Sequence, residues 1–511
     1  MALIKATGWN WFSQIYIAIA GIAIIPIYMR HFGDEAYGLI AFMLTLQMFM
    51  SLLDIGFSAS LSRESSKLKA NQIDVYRYNA FLRIVLTVFL VTGLLFSSVI
   101  FIFSSHLAEG WLNFRDLDVY LVSYVLKISA FIIFFRWLSV FYRSVIFGYE
   151  DLVWVAKFTI FMATLRFLMV LPLIYYFSLS VVDYFYYQLA IQIIELVILF
   201  IRKKIIFPAE SGGAYTVFIK DAYFKETFNF ICAAGGATVL WLLISQLDRF
   251  YASAFLSLKD YGYYHTAVMA AGMITIITAP LVSSMQPRVT ILFSLNDMAG
   301  VEKILKNLFD FMTVLGVSLV MVVYFFGYDL LRTWHGEKTF ADSVYLVFLL
   351  HCISMAILGI NSCSYIVDYA SGKLRLRNKI SILMLVLLVS LYPLAFHYFS
   401  AIGAAVTWLT LNLLYAVFAQ PRLLAQHDSS LYFKVLKETL IPRFLQSVVL
   451  FFVVLLVSWR VDLSDYDNVF IFISLSVLFW LSILLIFLFM KIESRRFLIS
   501  YISRFYVSAK N

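Results

Sequence analysis

Long apolar runs follow one another from end to end of the 511-residue chain, separated by short polar stretches. A helix needs roughly 20 apolar residues to cross the hydrocarbon of a bilayer, and in lipid the backbone must satisfy its own hydrogen bonds, as a helix does. The runs at residues 10–29, 37–60, 82–104, 119–146, 152–176, 181–200, 228–254, 264–286, 306–327, 341–366, 380–399, 401–420, 444–459 and 468–490 therefore predict about fourteen transmembrane helices. A membrane β-barrel would show short alternating strands instead. The expected class is an all-α polytopic membrane protein. The first run passes through Pro26 and Tyr28 without a small-residue cleavage pattern, so it reads as the first helix and not as a signal peptide.

The runs group as six, six and two. Residues 1–201 and 222–420 form two expected bundles. A polar linker at 202–221, with the turn-forming Pro208, Ser211, Gly212 and Gly213, joins them. Residues 421–511 add two helices and a tail. The halves echo one another at an offset of 224 residues, where Tyr37 and Gly38 recur as Tyr261 and Gly262, and Ser60 aligns with Ser284. Six is even, so each half starts on the same side of the membrane and the repeats are parallel. Two pseudo-symmetric halves suit a rocking transporter with its site between the bundles.

Charge then orients the helices. One set of loops carries Arg63, Lys67, Lys69 and Arg77, then Arg202, Lys203 and Lys204, then Arg288, Lys303 and Lys306. The same alternation continues through Lys373, Arg375, Arg377 and Lys379, then Arg422, Lys434, Lys437 and Arg443, and ends with Lys491, Arg495, Arg496 and Arg504. The opposite loops are poor in base and hold Asp34, Glu35, Glu109, Asp116, Asp118, Asp462, Asp465 and Asp467. The positive-inside rule places both termini in the cytoplasm. Bases metered out after alternate helices, instead of gathered on one domain, exclude a nucleic-acid partner.

Composition agrees: the chain is 63% hydrophobic and 14% charged, a balance that a soluble chain of this length does not keep. Cys232, Cys352 and Cys363 have no paired spacing and read as small buried hydrophobes.

Ionisable groups within spans are costly in hydrocarbon and mark candidate sites. Arg249 is a candidate for an anionic substrate, and the adjacent Asp248 for a proton or cation; the two point about 100° apart on their helix and need not pair. Lys127 and Arg136 in the fourth span and Arg166 in the fifth add positive charge, and the planar guanidinium suits phosphate. Arg143, seven residues past Arg136 on about the same face, lies near the cytoplasmic boundary and reads equally as a snorkelling side chain; Arg83 has the same ambiguity. Gln188, Gln192 and Glu195 form a polar stripe that faces protein or water. Glu195, Asp54 and Asp248 are the acids that an ion-coupled step could use, and each reads equally as a hydrogen-bonded packing residue. No Walker motif, dinucleotide fingerprint, zinc signature or Ser-His-Asp order occurs, so no ATP-driven or catalytic chemistry, cofactor or metal is expected.

The run "IPIYMRHFGDEAYGLIAFMLTLQMFMSLLDIGFSASLSRESSK" resembles the polysaccharide biosynthesis flippases for O-antigen and related repeat units, of the multidrug/oligosaccharidyl-lipid/polysaccharide exporter superfamily. The resemblance rests on Pro26, Arg30, Gly33, Tyr37, Gly38, Leu53, Asp54, Gly56 and Arg63. It continues in "SQLDRFYASAFLSLKDYGYYHTA" through Asp248, Gly262 and Tyr263, where Leu256 and Ser257 replace a glycine-containing turn. It implies a bacterial inner-membrane flippase that moves an undecaprenyl-diphosphate-linked oligosaccharide to the periplasmic leaflet by alternating access, driven by a proton or sodium gradient. A polysaccharide polymerase and a chain-length regulator are the implied partners, and the internal duplication suits a monomeric transport unit. A diphosphate demands cations, which Lys127, Arg136, Arg166 and Arg249 would supply. Three alternatives stay open. A lipid II flippase shares the helix plan and a cationic cavity. A multidrug antiporter would use an acid-lined cavity, against which the excess of intramembrane Arg and Lys argues. A membrane-embedded glycosyltransferase or polymerase would need a larger outer loop than the chain offers.

Overall fold

A computed structural model describes residues 2–207 and 222–458, and among them the chain is helical throughout, with one isolated bridge between Asn113 and Ser257. Nine helical stretches of the described residues are long and apolar enough to cross a membrane. The expected span at 468–490 lies outside the described residues, as does most of the linker, 208–221. Two compact units result, Ala2–Gly262 and Tyr263 onward.

The first unit contains α1 (Ala2–Ala23), α2 (Ile25–Phe32), α3 (Asp34–Met50), α4 (Phe57–Lys69), α5 (Val75–Ile102), α6 (Ser104–Gly110), α7 (Val119–Gly148), α8 (Leu152–Ala163), α9 (Val170–Phe177), α10 (Val181–Ile206), α11 (Ala222–Phe255) and the start of α12 (Leu258–Ala271). Lipid tails are as apolar as leucine, so close fit and interhelical polar bonds, more than burial from water, hold such helices together. Both devices are visible. Pro26 opens α2, where its missing N–H costs nothing, and Gly33 ends it before the acidic first turn of α3. Glu35 in that turn is buried and accepts the backbone N–H groups of Arg115 and Asp116 at 2.8 Å and of Leu117 at 3.2 Å, pinning the loop before α7. The tightest fit is backbone on backbone. Gly56 has φ +87°, and a Cβ there would stand 2.6 Å from the Ile231 carbonyl oxygen, while one on Gly235 would stand 2.1 Å from that of Ile55. Only glycine tolerates both the conformation and the contact. At the other end of α3, a Cβ on Gly38 would meet the Leu258 carbonyl oxygen at 1.9 Å, and one on Gly262 would meet Tyr37 at 3.0 Å. The two echoed Tyr-Gly pairs thus touch each other.

The second unit continues with α13 (Met273–Ser294), α14 (Met298–His335), α15 (Lys338–Ser362), α16 (Tyr365–Ser371), α17 (Arg375–Leu414), α18 (Gln420–Ala425), α19 (Leu431–Val435) and α20 (Ile441–Ser458). The 40 residues of α17 would reach about 60 Å, twice a bilayer's core, but the backbone turns at Ser400 (φ 54°, ψ −144°). The expected spans 380–399 and 401–420 meet at that residue. Val289, Val301, Leu305, Cys363, Ile366 and Val367 form the fully buried centre of this unit. Cys352 and Cys363 are buried free thiols, as small hydrophobes would be; the side chain of Cys232 lies outside the described set. Arg443, expected in a cytoplasmic loop, is instead buried on α20 and grips Asp310 of α14 with Nε to Oδ1 at 2.6 Å and Nη2 to Oδ2 at 3.0 Å.

Candidate functional site

Within the first unit, α7, α8 and α10 converge on a run of polar side chains inside the apolar spans. The polar stripe of α10 turns inward, with Gln188, Gln192 and Glu195 all buried. Facing it, Arg136, Ser139 and Arg143 fall on one side of α7 through their spacings of three and seven. The third wall is a local departure from α-helix. Between α8 and α9, residues Thr164–Leu168 take a π-helical turn that carries Arg166. Such a turn inserts a residue and leaves carbonyls without their usual donors. Here α10 supplies them. Tyr187 Oη donates to the Leu165 carbonyl at 2.6 Å, and Gln188 Nε2 to that of Arg166 at 3.2 Å.

The result is an arginine cluster around one carboxylate. Arg143 Nη2 donates to Glu195 Oε1 at 2.5 Å and its Nη1 to Thr159 at 2.7 Å. Arg166 Nη2 donates to Glu195 Oε2 at 2.8 Å and to Gln192 Oε1 at 3.0 Å. Gln192 Nε2 in turn donates to Ser139 Oγ at 3.1 Å. Arg136 is near enough for the charges of Arg166, Glu195 and Arg143 to act on it, yet among the described residues nothing makes a hydrogen bond or ion pair with it. Three guanidinium charges against one carboxylate leave two positive charges in excess. The arginines are partly buried, Arg143 33% and Arg166 18% exposed, and inside an apolar span such a surplus of positive charge is costly unless a negative group offsets it.

The other expected site residues stand apart from it. Lys127 is nine residues from Arg136, about two and a half turns, hence on the opposite face of α7, and its ammonium lies 5.9 Å from the centre of the Phe101 ring. Arg249 on α11 bonds Gln246 one turn earlier, and Asp248 is buried beside it. Asp54 accepts the Ser58 N–H at 2.8 Å, satisfying one of the free donors at the start of α4. Arg83 is exposed on α5. Arg143, left between two roles by its position near a span end, proves to be half of the grip on Glu195. Its i+7 relation to Arg136 was the available signal, and the donor set of Thr159 and Glu195 was not visible in the sequence.

A profile of polysaccharide biosynthesis proteins matches residues 3–293, more than half of the chain. A putative O-antigen transporter from Salmonella typhi is 28% identical over 108 residues, which are 21% of this chain and only 24% of that relative's length. Among solved structures the fold is similar to that of the lipid II flippase MurJ in an inward closed conformation, with a TM-score of 0.68 at 15% identity, covering 94% of this chain and 97% of that one. It is also similar to an inward-facing multidrug resistance MATE family transporter of the MOP superfamily, with a TM-score of 0.61 at 12% identity, covering 84% and 100%. The resemblance carried by the amino-terminal run thus holds at the level of family, and the all-α multi-pass architecture at the level of fold. The chain belongs to the polysaccharide biosynthesis protein family.

Proposed function

We propose that the protein is a flippase of the bacterial inner membrane, with both termini cytoplasmic, that carries an undecaprenyl-diphosphate-linked oligosaccharide repeat unit from the cytoplasmic to the periplasmic leaflet. The observation that carries this reading is the surplus of two positive charges around Glu195. A diphosphate is the one part of a lipid-linked sugar that needs cations. Arg136 and Arg166 would take its oxygens through paired N–H donors, while Glu195 holds Arg143 and Arg166 in place between turnovers. Alternating access then moves the headgroup across, drawing on a proton or sodium gradient; Asp54 and Asp248 are the remaining acids that such a step could use. A multidrug antiporter for organic cations would find this cluster repulsive.

The test is flipping of a labelled undecaprenyl-diphosphate oligosaccharide in proteoliposomes. Losing one charged hydrogen-bonding partner of the diphosphate costs about 1.5–3 kcal/mol, so Arg136→Ala should slow transport by roughly 10- to 100-fold. Lys127→Ala should leave it within about twofold, because that ammonium faces away from the cluster. Wild-type rates in Arg136→Ala, or no movement of any lipid-linked glycan by folded wild type, would overturn the proposal.

A further inference from the structure

The second unit buries a cluster of ionisable groups that the arginine site does not use. Asp368 on α16 is fully buried. Its Oδ2 accepts from Arg377 Nε at 2.8 Å, and its Oδ1 lies 2.9 Å from His427 Nε2. Arg377 also donates to Tyr415 Oη and Ser364 Oγ, each at 2.7 Å. The His427 side chain is wholly buried, in the turn between α18 and α19.

The charges fix how this cluster works. Asp368 and Arg377 neutralise one another, so the pair does not require a charged histidine. The carboxylate accepts the Nε2 proton, which leaves the lone pair on Nδ1, and among the described residues Nδ1 has no hydrogen-bond partner. A buried acceptor left unmade costs about 1–3 kcal/mol. The imidazole thus keeps an unused basic nitrogen, buried beside an ion pair. Phe293 of α13 presents a ring edge at 6.0 Å. Lys373, after α16, donates instead to the Gln426 carbonyl at 3.1 Å, and Arg422 of α18 to the Phe418 carbonyl at 2.6 Å. Asp428 turns away to Ser430, with Lys434 at 3.9 Å. A proton on His427 would therefore set imidazolium and guanidinium in competition for one carboxylate. That competition reaches further in. Ser364 Oγ donates to the Asn361 carbonyl at 3.3 Å, and the amides of Asn361, Gln420 and Asn412 carry the buried chain on toward Trp408.

We infer that His427, seated on the Asp368–Arg377 pair, is a proton-binding site through which H⁺ biases the conformation of this unit, making H⁺ the coupling ion; the last clause rests on the flippase reading, whereas proton binding does not. A ligand shifts a conformational equilibrium only by its differential affinity for the two states, and a proton that breaks one buried ion pair has such a difference.

The experiment has two arms on the full chain in lipid. First, ¹³C-histidine NMR should show one imidazole that takes up a proton as pH is lowered, is missing from His427→Gln, and changes its midpoint in Asp368→Asn. Should His427→Gln not fold, single replacement of the six other histidines of the seven assigns the signal by elimination. Second, His427→Gln keeps an N–H for Asp368, so it should retain gradient-free exchange of the lipid-linked diphosphate while its acceleration by a pH gradient falls at least about fivefold, with a flattened pH profile. A His427 signal that shows no protonation at any pH at which the protein stays folded, or a His427→Gln protein that answers a pH gradient as wild type does, would refute the inference. If wild type flips no lipid, the flippase reading fails and the titration alone decides the proton site.

Discussion

Asp428, next to the buried His427, shows how much a single side chain's partners decide. The backbone N–H and the hydroxyl of Ser430 both donate to its carboxylate at 2.8 Å and hold its pKa below the usual carboxylate value. A depressed folded-state pKa means that the contribution to stability is present above the ordinary aspartate range and is lost as pH falls through the lowered value. The 426–431 turn should thus stay capped down through the ordinary aspartate range. Ser430→Ala should move the acid loss of this turn to higher pH, read from amide exchange of residues 428–431 against pH; an unchanged profile would leave the backbone N–H as the sole cause and remove the hydroxyl. At this scale the sequence was informative wherever spacing along one helix sufficed. The stripe 188, 192, 195 and the pair Arg136 and Arg143 could be placed on faces by arithmetic alone. It was silent about the partners of Glu35, because three backbone donors from residues 115–117 are invisible until the loop folds against it.

Among elements, the π-turn at Thr164–Leu168 matters most to the site. Nothing in the string TLRFL announces it. The turn exists because Tyr187 and Gln188 on α10 satisfy the carbonyls that it frees, so its cause lies about 22 residues away. A double variant Tyr187→Phe, Gln188→Leu should strand both carbonyls, at about 1–3 kcal/mol each, and let the segment relax to an ordinary α-helix. One residue fewer in the turn swings Arg166 by about 100° away from Glu195. The expected outcome is a loss of diphosphate-lipid transport beyond the loss in thermal stability, together with faster amide exchange at 165–169; transport that merely tracks stability would show that the turn does not position Arg166. The reversal at Ser400, by contrast, was legible, because a polar residue between two apolar runs of helix length leaves few other places to turn.

For the whole molecule, hydropathy read the architecture well because a bilayer permits so little else, while long-range polar pairs stayed hidden in it. The pair of Asp310 and Arg443 joins helices 133 residues apart and is 2% exposed on either side. Asp310→Asn removes the carboxylate that faces a buried guanidinium and should cost about 3–5 kcal/mol, seen as a lower unfolding temperature in nanodiscs. Asp310→Asn with Arg443→Met should recover most of that loss; no recovery would mean that the charge pairing is not what fails. The same pair sets a timetable for biogenesis. Synthesis proceeds at about 5–20 residues per second, so the carboxylate on α14 is made roughly 7–27 s before its arginine. Over that interval the carboxylate has no guanidinium to neutralise it. The early packing of α14 must therefore form without this pair, which closes only once α20 has been made.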